Sequence, residues 1–171
     1  SAVELHEKYE GIDKSKLESL SHVALVCGRV MFKRVMGKAS FISIQDASGQ
    51  IQSYLTKEKL GEQKYTNTLS LLDVGDIVGV EGTVMRTNKG ELTVSASNIV
   101  LLNKTLRPLP EKYHGLVDQE AKYRQRYLDL IMSSETRARF RARSGLIQKI
   151  RTFFVDRGYL EVETPMMHPI P

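Results

Sequence analysis

The 171 residues suffice for one good-sized domain, or for one domain and a piece of another. With 41% apolar and 26% charged residues the chain has the make-up of a soluble globular protein, and no apolar run approaches a membrane span. A single cysteine, Cys27, excludes an internal disulfide and a cysteine-built metal cage; with no basic-then-apolar leader, a cytoplasmic location is expected.

The net charge of +5 is unevenly spread: residues 1–101 hold twelve basic and twelve acidic residues, leaving 13 basic against 8 acidic in 102–171. The neutral part still has one positive edge. No acid stands between Glu18 and Asp46, while Arg29, Lys33, Arg34 and Lys38 cluster there and could steer an anion.

Residues 1–21 read as an N-terminal helical segment with Leu5, Tyr9, Ile12, Leu17 and Leu20 as its apolar set. The stretch "HVALVCGRVMFKRVM" (22–36) is a long strand, with Gly28 expected as a bulge or bend. "SFISIQD" (40–46) alternates, a tight turn follows, and "IQSYLTK" (51–57) alternates again. Residues 57–72 have helical spacing, with Gly61 against it. Residues 73–87 are a turn and a long strand, 88–90 a hairpin loop, and 91–102 a fifth strand.

Three strands, a helix and two strands, with Gly28, Gly79 and Gly82 where a small barrel coils sharply, give the element order of a five-stranded Greek-key barrel. The expectation is a mainly β OB-fold over 22–102, whose strand 2–3 face commonly binds oligonucleotides or oligosaccharides. Pro108 and Pro110 mark 103–118 as an extended linker. Residues 118–132 and 134–157 are helical by periodicity, the second with an apolar stripe of Phe140, Leu146, Ile147, Ile150, Phe153 and Phe154. That helix ends at Gly158, and a short alternating strand is expected from there into Pro165. Two helices and one strand lack a third layer, so 119–171 reads as an incomplete domain, either truncated or completed by a partner.

Period-two alternation turns one set of side chains out of the barrel. Ile42 and Ile44 point in, so Phe41 and Ser43 point out; Ile51 and Leu55 point in, so Gln52 and Tyr54 point out. Leu92, Val94 and Ala96 point in, so Glu91, Thr93 and Ser95 point out; core positions at Val26, Gly28 and Val30 send Arg29 out. A ring, an amide, a carboxylate and a guanidinium on one face suit an unpaired base. The ring stacks, the amide and carboxylate read a pyrimidine edge, and the arginine holds a carbonyl or phosphate. Each residue alone has a plainer reading: Phe41 under the N-terminal helix, Gln52 as ordinary surface, Glu91 as a solvated charge beside Lys89. Only their conjunction favours binding. The carboxylate also argues against an indiscriminate single-strand binder, the alternative reading. A third reading makes 119–167 a self-association piece. The histidines His6, His22, His114 and His168 are scattered, and no metal site is expected.

On "GRVMFKRVMGKASFISIQD", "LRPLPEKYHGLVDQEAKYRQRYLDLI" and "ETPMM", the chain resembles the class II lysyl-tRNA synthetases over essentially its whole length. The "RYLDL" portion is shared with the aspartyl and asparaginyl relatives. The resemblance implies that residues 1–101 bind an anticodon, with Phe41 stacking on its central base and Arg29, Gln52 and Glu91 contacting a uridine-rich anticodon of tRNA(Lys). It implies that 119–171 begins an α+β catalytic domain, with dimer helices and a motif 1 that carries Arg157, Gly158 and Pro165 at a homodimer interface. An intact enzyme of this kind would use ATP and magnesium to join lysine to AMP and then to tRNA. The two motifs that do so are absent here, so no catalytic residue and no cofactor is expected in this chain. No phosphate-binding glycine loop or HExxH pair is present either.

Overall fold

The computed structural model describes residues 1–110 and 116–167, in two units divided between Leu109 and Pro110. His114 and His168, and parts of the expected linker and C-terminal segment, lie outside the described residues.

In the first unit, helix α1 (Ala2–Tyr9) opens with a capping box in which Ser1 and Glu4 satisfy each other's backbone nitrogens. Helix α2 is Lys14–Leu20. Strands β1 (Val23–Met36), β2 (Ala39–Gln45) and β3 (Gln50–Thr56) follow. Where the spacing predicts one helix, there are two, α3 (Lys57–Leu60) and α4 (Glu62–Leu71), broken at Gly61 with φ +81°. Strands β4 (Ile77–Arg86) and β5 (Leu92–Asn103) complete the unit.

The strands close in the order β1-β2-β3-β5-β4, with only the β3–β5 pair parallel. The inward alternation fills this barrel with Val26, Val30, Ile42, Ile44, Ile51, Leu55, Val78, Val80, Val84, Leu92, Val94 and Ala96, all buried. Every buried hydrophobic among the described residues lies between Ala2 and Ile99.

β1 serves two neighbours in turn. Val23–Arg29 pairs with β4, and Arg29–Met36 pairs with β2. At the changeover a Cβ on Gly28 would lie 2.4 Å from the Gln45 carbonyl oxygen, so the close approach demands glycine. Gly82 stands in the same position at the other coil, 2.1 Å from the Ser95 carbonyl oxygen. Gly79 does not, since its nearest neighbour is a Leu102 methyl at 3.6 Å. The bulge expected at Gly28 falls two residues later, between Val30 and Phe32. Met31 is the residue left without a β2 partner. Val30 beside it still pairs with Ile44 and also bonds the 73–76 turn, its N–H donating to Asp76 O (2.8 Å) and its carbonyl accepting from Gly75 N (2.7 Å).

Two buried or half-buried carboxylates tie loops to this frame. Asp76 accepts from the backbone N–H groups of Asp73 and Thr105 and from the Lys104 ammonium. Burial works to raise its pKa, but these donors outweigh burial and hold it below the usual range. Asp46 accepts from Ala2 N, Ser48 N and Gly49 N, joining α1 to the β2–β3 turn; burial opposes ionisation, yet these bonds and the Ser48 hydroxyl lower its pKa to about 2.

The second unit holds α5 (Gln119–Arg124), α6 (Arg126–Met132) and α7 (Ser134–Val155). Asp129, buried, accepts from Arg126 and from the Thr136 hydroxyl, and Arg137 donates to the carbonyls of Leu130 and Ile131, fastening α7 to the end of α6. No residue of α7 is buried. The strand expected from Gly158 into Pro165 is not formed: 159–167 has no regular structure. A strand exists by pairing, and no partner strand stands beside this segment among the described residues of its unit.

Candidate nucleic-acid interface

The outward side chains of the barrel form transverse rows. One runs Arg34–Phe41–Tyr54–Ser95 across β1, β2, β3 and β5, and the next runs Phe32–Ser43–Gln52–Thr93. At the edge of these rows lies a cleft of about 420 Å³ lined by Phe32, Arg34, Met36, Phe41, Gln52, and the hairpin residues Thr87, Asn88, Lys89 and Glu91. Three of the four residues expected to bind, Phe41, Gln52 and Glu91, therefore come together.

Phe41 is half-buried and braced by the Tyr54 ring, with centroids 4.8 Å apart. The Gln52 side-chain oxygen accepts from the Thr93 hydroxyl at 3.0 Å, which fixes the amide and leaves its NH₂ to donate. Thr93, expected outward and exposed, is fully covered, and so is Ser95, whose hydroxyl accepts from Lys59 at 2.8 Å. Neighbours on α3 and β3 roof the outer face of β5, which alternation alone does not reveal.

Glu91 is exposed, and no described residue ion-pairs with its carboxylate. Its backbone is held by the hairpin: Glu91 N donates to the Thr87 hydroxyl (3.1 Å), and its carbonyl accepts from Thr87 N (3.0 Å). Arg86 anchors the whole hairpin. Its guanidinium donates to the carbonyls of Tyr9, Ile12 and Gly90, all within 2.8 Å, and Lys14 adds a bond to the Asn88 side chain. Alternation gave no sign of Arg86, because two of its three carbonyl partners, Tyr9 and Ile12, come from the N-terminal segment.

Arg29 does not join the cleft. It pairs with Gln45, four residues along β2 from Phe41 and so about 13 Å away. It is half-buried, and its guanidinium donates to Gly75 O at 2.8 Å, bracing the turn below the bulge. The arginine of the cleft is Arg34, exposed and directly opposite Phe41. With core positions at Val26, Gly28 and Val30, uninterrupted alternation buries residue 34. The bulge after Val30 inserts one residue and turns Phe32, Arg34 and Met36 outward instead. The adjacent Met31-Phe32 pair was the visible hint of broken alternation. No described residue hydrogen-bonds or ion-pairs with the Arg34 guanidinium. Lys33, turned inward by the same shift, caps the end of α4 through the carbonyls of Leu69 and Leu72.

In the second unit, Arg157 lies over the Phe153 ring at 3.5 Å and donates to the Phe153 carbonyl. Gly158 lies in the turn just past the end of α7, at φ +80°, and Pro165 lies in the segment without regular structure. Among the described residues no group of three or more His, Cys, Asp or Glu stands where a metal ion could be held, and no helix is long and apolar enough to cross a membrane.

Residues 24–102 match the family model of the OB-fold nucleic acid binding domain, and residues 118–171 match that of the tRNA synthetases class II (D, K and N). The whole chain is 54% identical to a protein named Lysine--tRNA ligase from Dechloromonas aromatica, covering 34% of that protein, and 57% identical to one of the same name from Azoarcus sp., again covering 34%. A Lysine--tRNA ligase from Cupriavidus metallidurans is 54% identical over 98% of this chain, which covers 32% of it. The chain thus spans about a third of the length of the relatives it matches.

Proposed function

We propose that this chain, which matches the OB-fold nucleic acid binding domain through residues 24–102 and the class II (D, K and N) tRNA synthetases through 118–171, is the anticodon-reading part of a cytoplasmic lysine–tRNA ligase. The observation that carries this reading is the cleft that gathers a stacking ring, an amide, a carboxylate and a guanidinium within reach of one unpaired base.

In this reading Phe41 stacks on the central anticodon base. The Gln52 NH₂ donates to a base carbonyl, and the Glu91 carboxylate accepts from a ring N–H, as a uracil edge offers. Arg34, rather than Arg29, supplies the cation for a carbonyl or phosphate. The ligation itself, with ATP and magnesium, belongs to parts of the relatives that this chain does not span; the described residues offer no acid cluster for the metal, and no chemical step is assigned to them. Residues 119–167 would form the homodimer contact, with Arg157, Gly158 and Pro165 at the interface and the exposed α7 stripe as its apolar part.

Glu91 separates this reading from a general single-strand binder. The chain is titrated with a lysine-anticodon stem-loop and with the same loop carrying cytidine at the central position. Wild type is expected to prefer the uridine loop about tenfold or more, and Glu91→Gln to lose that preference through weaker binding of the uridine loop. Equal affinity for both loops, with Glu91→Gln tightening both alike, would establish the general binder instead.

A further inference from the structure

We propose that Phe32 is a second base-stacking platform, so that the cleft holds two adjacent unpaired bases, one on Phe41 and its neighbour on Phe32. This rests on reading the cleft as an RNA site.

Phe32 lies within a barrel strand, yet 41% of its surface is exposed. The β1 bulge is what turns it out, and it lines the same cleft as Phe41. Its ladder partner is Ser43, while Phe41 faces Arg34 in the neighbouring row. Phe32 and Phe41 are therefore diagonal neighbours on one face. Diagonal neighbours of this kind stand about 7–8 Å apart and are displaced sideways by one strand spacing of about 4.8 Å. A single base does not lie face to face with both rings; the pair fits a loop whose neighbouring bases are splayed apart, each on its own ring. Arg34, two residues beyond Phe32 and opposite Phe41, adjoins both platforms and supplies a cation for the phosphate that links the two nucleotides.

The test uses the 171-residue chain, an intact lysine-anticodon stem-loop, and three versions abasic at the central position or at either flanking one. Phe32→Ala is expected to weaken the intact loop about tenfold, and Phe32→Tyr to restore it. With one of the two flanking positions abasic, the effect of Phe32→Ala should vanish while that of Phe41→Ala persists. With the central position abasic, the reverse should hold. If Phe41→Ala weakens binding and Phe32→Ala does not, the second platform is wrong and the anticodon reading stands. If Phe32→Ala weakens every loop equally, abasic or not, the residue acts through the fold and the proposal is overturned. If neither variant changes any affinity, the anticodon reading falls and this inference with it. Thermal unfolding of each variant confirms that the barrel is intact.

Discussion

Arg29 and Arg34 have the same charge and lie five residues apart, yet the barrel gives them different work. Arg29 spends its guanidinium on the Gly75 carbonyl and braces the turn that enters β4. Arg34 stands exposed opposite Phe41. Arg34→Ala is expected to weaken stem-loop binding about tenfold, as loss of a charge-assisted contact does, and to leave the unfolding free energy within about 0.5 kcal/mol of wild type. Arg29→Ala is expected to do the opposite, lowering stability by about 1 kcal/mol with little change in affinity. Paired urea unfolding and anisotropy titrations measure both. The contrast follows from one inserted residue. Outward character changes parity at the bulge, and parity is all that alternation reads.

At the scale of elements, the bend at Gly28 and the bulge after Val30 together let β1 serve β4 and then β2. Gly28→Ala would force a Cβ against the Gln45 backbone, and is expected to cost on the order of 2–3 kcal/mol in urea unfolding. Gly79→Ala, with only a methyl at 3.6 Å, is expected to fall within about 1 kcal/mol of wild type. The barrel was legible in the sequence because period-two runs such as "SFISIQD" and the glycine-marked turns are local signals. That Phe41, Gln52 and Glu91 turn outward into one cleft was legible for the same reason. What lay beyond local signals came from elsewhere in the chain. The 73–76 turn bonds Val30 beside the bulge, Lys59 and Gln52 cover β5, and the N-terminal segment helps hold Arg86. The missing strand over 159–167 is the same lesson, since alternation marks a segment that can pair but does not supply its partner.

At the scale of the whole molecule, the two units carry different kinds of surface. The first buries a complete core; the second leaves Leu146, Ile147, Ile150, Phe153 and Phe154 exposed along one helix. Such a stripe fits a subunit contact, as the proposed ligase dimer requires. The reading function needs only the first unit, where every cleft residue sits. The most direct test of that function is the affinity of the 171-residue chain and its Phe41→Ala variant for a lysine-anticodon stem-loop with a uridine or an abasic site at the centre. The account predicts that Phe41→Ala weakens the uridine loop by roughly tenfold or more and leaves the abasic loop unchanged, since the ring then has no base to stack on. Equal binding of the uridine loop by both proteins, with the barrel intact, would contradict it.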